Sequence, residues 1–171
     1  MKIIEGMKKI KELQIKAEDL RKKVATYCAD QSHETPIYGK DQAEKIKEWV
    51  QSHGDILKEI LGLRVAIQRT NIQTSVTIEL DGKQVQKSIA EWIHRRRDLA
   101  GLELALWTGI GDRGLREGIV KTSTGETMEV KIRRYYDPSE RDKRMELYRS
   151  EPSVIDRTLE VTNAVTELKT E

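Results

Sequence analysis

Between Gly109 and Gly118 four glycines surround Asp112 and Arg113. The run Gly109-Ile110-Gly111-Asp112-Arg113-Gly114 has the spacing of a dinucleotide fingerprint, in which glycines let the backbone approach a pyrophosphate at a helix N-terminus. That chemistry needs a strand before the motif and a helix after it. Neither is read here, so the segment is expected to be a flexible loop. His94-Arg95-Arg96-Arg97 is the densest basic run and could contact phosphates. Four consecutive residues point nearly all round a helix, however, and Glu91 and Asp98 stand beside them, whereas a polyanion needs a broad patch. Arg133-Arg134-Tyr135-Tyr136 mixes base with aromatic, as single-strand binders do. Strand alternation would turn two of these four inward. Cys28 has no disulfide partner and reads as a small helix filler, and His33, His53 and His94 have no zinc-binding spacing with it. Trp49, Trp92 and Trp107 read as packing anchors or interface residues, not as a ligand cage. No Ser/His/Asp or Cys/His arrangement and no singled-out pair of carboxylates is present. The chain is therefore not expected to be an enzyme, and neither cofactor nor metal is expected.

Composition points the same way. The 171 residues carry 31 basic and 29 acidic side chains, no Phe and 5% aromatics, with 37% apolar residues. Charges this well mixed describe a solvated surface, and this balance suits elongated amphipathic helices, which have much surface for little interior. The N-terminal segment has no apolar run, so neither a signal peptide nor a transmembrane segment is expected. The expected setting is the cytoplasm, or a particle assembled there.

The elements that must position any site are organised around residues 56–107. Ile56, Ile60, Leu63, Ile67, Thr70 and Thr74 recur at steps of four and three, the seam of a helix packed on another helix. The period then changes to two at Val76, Ile78 and Leu80. Asp81-Gly82 follows, a strong signal for a two-residue hairpin turn with positive φ. After the return strand Ser88 is an N-cap, and a helix resumes with the apolar stripe Ile89, Trp92, Ile93, Leu99, Leu102 and Leu106. The fold class is mainly α: long antiparallel helices in a coiled-coil-like bundle, with one or two small β-hairpins at one end, in a single elongated domain. Helices are expected at about 2–29, 41–74, 88–107 and 138–168, and hairpins at about 75–86 and 118–136, the two pairing into one sheet.

The first helix shows a narrow stripe through Ile3, Ile10, Leu13, Ala17, Leu20 and Val24. Asp41 with Glu44 forms a capping box for the second, whose polar seam residues His53, Arg64 and Asn71 are expected to fix register. Asp137-Pro138-Ser139-Glu140 caps the last helix, with a kink or restart expected at Pro152. Arg69, Asn71, Arg97 and Asp98 are expected to face one another as a polar cluster near the Asp81-Gly82 turn.

Three blocks carry a family likeness: Ile67-Gln68-Arg69-Thr70-Asn71 before the Asp81-Gly82 turn, Arg96-Arg97-Asp98-Leu99, and Glu129-Val130-Lys131 through Ile155-Asp156-Arg157 to Asn163-Ala164-Val165-Thr166-Glu167-Leu168. Together they resemble the septicolysin-like family of small helical bacterial proteins of uncertain function. The likeness covers roughly residues 56–168 and picks out Asp156 and Asn163 as structural positions. Ala164 stands where the family tail has tryptophan.

The expected function is a non-enzymatic structural or assembly protein, a subunit of a homo-oligomer or larger particle such as a phage virion. Its partners would be copies of itself or other subunits, which would also hold charged ends that otherwise fray. Leu13 and Leu20 would belong to a stripe too narrow to wrap a core alone. The family label implies a membrane-active, pore-forming alternative, and the basic runs a nucleic-acid-binding one. Neither membrane nor nucleic acid is the favoured partner.

Overall fold

The computed structural model describes residues 1–169 and is mainly helical, with two small antiparallel hairpins. It divides into two compact units, Met1–Thr74 together with the chain from Glu160 on, and Ser75–Leu159.

In the first unit, α1 (Ile3–Tyr27) and α2 (Gln42–Gln73) pack along each other. They run antiparallel: Tyr27 at the end of α1 meets Trp49 near the start of α2, their rings 6.0 Å apart, while Gly6 lies against Ile67. The covered face of α1 steps through Ile3, Gly6, Ile10, Leu13, Ala17, Leu20, Val24 and Tyr27, all buried or half-buried. The stripe through Leu13 and Leu20, expected to need a neighbouring subunit, is thus covered within the chain. On α2 the inward face is the seam through Ile56, Ile60, Leu63, Ile67 and Thr70, with Ala66.

Asp41 makes no side-chain cap. A 3₁₀ turn at Gly39–Asp41 precedes α2, and Gln42 ties the connection by accepting from Tyr38 N–H (3.1 Å) and donating to the Tyr27 carbonyl (2.8 Å). Cys28 is exposed, because it follows the last turn of α1 instead of lying in its stripe. The chain ends hold each other: Ile3 N–H donates to Thr166 O (3.0 Å), Leu168 N–H to Met1 O (2.8 Å) and Lys169 N–H to Thr70 Oγ1 (2.9 Å).

The second unit starts with β1 (Ser75–Leu80) and β2 (Lys83–Ser88), paired Ile78 to Val85 and Leu80 to Lys83. Asp81 (φ 52°) and Gly82 (φ 69°) both occupy the left-handed region, as the primed turn requires. Gly82→Val is expected to destabilise the fold by roughly 1–3 kcal/mol, since a β-branched side chain resists that conformation. An unchanged urea midpoint would show that the turn tolerates it.

Ser88 then caps α3 (Ile89–His94): Oγ accepts from Glu91 N–H (3.2 Å), and Glu91 reaches back to Ser88 N–H (2.7 Å). This reciprocal capping box holds the Glu91 carboxyl below its usual range, chiefly through the Ser88 backbone bond. A π turn (Arg95–Leu99) leads into α4 (Ala100–Gly109). The strands β3 (Gly118–Lys121) and β4 (Thr127–Val130) form their own sheet and do not join β1–β2. Every residue of β3 is exposed, so no described residue covers that strand of the hairpin.

The last helix, α5 (Pro138–Val165), opens with Asp137 accepting from Ser139 N–H (2.8 Å). It continues through Pro152 without restarting. A proline inside a helix costs about 3 kcal/mol, and burial of Ile155 and Leu159 just beyond it opposes that loss.

Candidate interaction surface

The π turn is what organises the second unit. In it the Ala100 N–H bonds to the Arg95 carbonyl, five residues back instead of four. One extra residue rotates everything downstream by about 100° relative to a plain α-helix. The inward positions accordingly run Ile89 and Trp92, then Arg95, then Ala100, Leu104 and Trp107. The expected stripe through Leu99, Leu102 and Leu106 is turned out, 45%, 65% and 62% exposed. These three leucines, spaced three and four apart, are an uncovered apolar face. With Arg95 and Glu103 they line a shallow groove of about 390 Å³.

The same turn carries Arg95 inward. Its Nε donates to Glu151 Oε1 (2.5 Å) and its Nη2 to Glu151 Oε2 (3.0 Å), the two-pronged geometry that suits a carboxylate. Nη1 lies 3.4 Å from Glu103 Oε1, and the guanidinium stands over the Tyr148 ring at 5.3 Å. Glu151 is 2% exposed. Its hydrogen bond is the main reason the Arg95 guanidinium is held above its ordinary value. Beside the pair, Trp92 is fully buried and donates its indole N–H to the Val76 carbonyl of β1 (3.0 Å). An open hollow of about 420 Å³ lies between the hairpin, α3 and α5, with Lys87, His94 and Tyr148 among its walls.

Only part of this was expected from residue types. Arg97 and Asp98 lie on the surface, 3.9 Å from each other, and Arg97 Nη2 meets His94 Nδ1 at 3.2 Å. It is Arg96 that reaches Asp156, through bonds of 2.8 and 2.9 Å between two half-exposed side chains. Arg69 and Asn71 belong to α2 in the first unit. Asn71 and Asn163 each keep a buried Oδ1 without a hydrogen-bond partner. Asp81 and Gly82 form the turn already described. Glu151 was missed, although it sits four residues before Ile155 and eight before Leu159. That places a carboxylate in the apolar row of α5 and calls for a cation opposite.

Asp112 finds a use in the glycine-rich loop. Arg134 donates to both its oxygens (2.8 and 2.6 Å) and the Tyr136 hydroxyl to Oδ1 (2.8 Å). These bonds, Arg134 first, hold its carboxyl below the usual range. Arg134 and Tyr136 thus turn to the loop while Tyr135 is 87% exposed, although β4 has already ended at Val130. The fingerprint spacing lies between the end of α4 and β3, without the strand–turn–helix context.

Among the described residues no group of three or more His, Cys, Asp and Glu is placed to hold a metal ion, and no helix is long and apolar enough to cross a membrane. Comparison with protein-family models, with curated proteins and with solved structures returned no match.

Proposed function

We propose that this protein is a non-enzymatic assembly subunit, joined to copies of itself or to other subunits in a homo-oligomer or a larger particle such as a virion assembled in the cytoplasm. One observation carries this reading: aliphatic side chains at helical spacing stand uncovered on both units. In the second unit the π turn presents Leu99, Leu102 and Leu106. In the first, α2 presents Val50, Leu57, Leu61, Val65 and Ile72, each at least 42% exposed. Scattered apolar residues are ordinary on any surface, but rows at three-, four- and seven-residue steps have the pattern by which helices pack on helices in coiled-coil-like bundles. Each Leu or Ile fully buried contributes about 1.5–3 kcal/mol, so a few of these residues suffice to drive association.

Light scattering at micromolar concentration is expected to give a mass well above the 19.7 kDa of one chain. A mass of one chain at every concentration, with no partner bound, would overturn the proposal. Release of dye from liposomes would replace it with the membrane-active reading.

A further inference from the structure

We infer that the outer edge of β4 pairs antiparallel with the same edge of a second copy of this chain, about a two-fold axis at Val130. The contact is separate from the helical rows and rests on the reading that copies of this chain assemble. β4 pairs with β3 alone, which leaves its other edge unpaired. Thr122 N–H donates to Glu126 O (2.8 Å) across the turn. Ladder alternation therefore aims the backbone groups of residues 126, 128 and 130 at β3 and those of Thr127 and Glu129 outward. The alternation outlasts the ladder. Ile132 N–H turns to the β3 side and donates to the Glu117 carboxylate (2.9 Å), and Val130 and Ile132 are half-buried where Lys131 and Arg133 are exposed. Lys131 thus continues the outward edge. Among the described residues, the N–H groups of Thr127, Glu129 and Lys131 donate to no other element.

Self-complementarity selects a second copy as the occupant, since a two-fold contact sets one surface against itself. With the axis at Val130, that residue opposes its own copy. Glu129 then opposes the partner's Lys131, Met128 the partner's Ile132, and Thr127 the partner's Arg133. Alternation keeps Met128, Val130 and Ile132 on one sheet face as an apolar strip, and the Glu129–Lys131 pairs on the other. Directly opposed Cβ atoms lie about 4.5–5.5 Å apart, whereas the like-charged diagonals, Glu129 to Glu129 and Lys131 to Lys131, span about 7–8 Å.

The same charges fix the register. Moving the axis one residue back sets Glu129 on Glu129, and one residue on sets Lys131 on Lys131. A shift of half a residue sets outward backbone groups against inward ones. Within one chain Glu129 and Lys131 stand 3.5 Å apart and are 67% and 73% exposed, so both are open to a neighbour. Pairing also turns a two-stranded hairpin, marginal by itself, into a four-stranded sheet.

The test uses the full chain. Glu129→Lys sets lysine against lysine at both symmetric pairs, and Lys131→Glu sets glutamate against glutamate. Each is expected to raise the dissociation constant of this contact about tenfold or more, with helix content by circular dichroism unchanged. Mixing the two variants restores both opposite-charge pairs, so they should bind each other about as tightly as wild type binds itself. A cysteine at Val130→Cys, in a Cys28→Ser background, meets its own copy at a spacing that a disulfide can bridge. The copies of Thr127→Cys lie about 20 Å apart along the strand, six residues on. Mild oxidation should therefore cross-link the first and spare the second. Equal cross-linking at both sites, or no recovery on mixing, would overturn the inference. An oligomer whose mass is indifferent to both charge reversals would overturn this contact while leaving assembly through the helical rows intact. A wild-type chain that stays monomeric would defeat both readings.

Discussion

Arg95→Ala is expected to destabilise the protein by about 3–5 kcal/mol, the cost of leaving a buried charge without its partner. The carboxylate it would abandon, Glu151, is 2% exposed and receives both of its charge-assisted bonds from this one guanidinium. The Tyr148 ring would also lose the cation standing over it. Glu151→Ala should cost less, because Arg95 keeps about a fifth of its side chain in solvent and has Glu103 3.4 Å away. Removing both partners should cost less than the sum of the single losses, since each residue's burial is tolerated only because of the other. Urea unfolding of the two single variants and the double variant would measure this directly. Arg96→Ala is the control. Its bonds to Asp156 have equally good geometry, but both side chains are half-exposed, and such pairs contribute about 0–1 kcal/mol. Equal effects at Arg95 and Arg96 would show that burial does not decide the matter.

Trp92→Ala should be of similar size, about 3–5 kcal/mol for deleting a large buried aromatic side chain. The residue is fully buried, and its indole N–H satisfies the Val76 carbonyl. Trp92→Phe separates the two contributions. It keeps most of the apolar volume but leaves that carbonyl unbonded, which by itself costs about 1–3 kcal/mol. A Phe variant as unstable as the Ala variant would mean that the hydrogen bond dominates and packing is secondary. Thermal unfolding followed by circular dichroism distinguishes these outcomes.

Local chemistry was legible in the chain because it is written in neighbouring residues. Ser88 announces a helix start as an N-cap, Asp81-Gly82 a primed turn by tolerating positive φ, and the three-four rows of α1 and α2 their mutual seam. The π turn left no such mark. Its sequence, Arg95 to Leu99, has nothing that forbids a plain helix, and the extra residue is favoured by what it brings together: Arg95 with a carboxylate 56 positions later. A periodicity argument that assumes 3.6 residues per turn throughout therefore assigns Leu99, Leu102 and Leu106 to the interior and misses the face they form. The restart considered at Pro152 does not occur, for the opposite reason. The proline's local preference for ending a helix is clear, but the buried side chains of Glu151, Ile155 and Leu159 outweigh it.

The clasp between the two chain ends also orders events during synthesis. The second unit is continuous, from Ser75 to Leu159, whereas the first is completed only by the chain from Glu160 on. Translation proceeds from the N-terminus, so α1 and α2 emerge early with part of their partner surface still unmade. Gly6, buried against Leu168, and Ile3, bonded to Thr166, wait until those last residues have left the ribosome. The second unit has no such delay and meets its internal contacts in the order in which they are made. Closing the first unit therefore joins residues more than 160 positions apart, and contacts of such long sequence separation form slowly. A nascent chain from which Leu159 has just cleared the ribosome would hold every residue of the second unit outside, with the α1–α2 pair still open at one end.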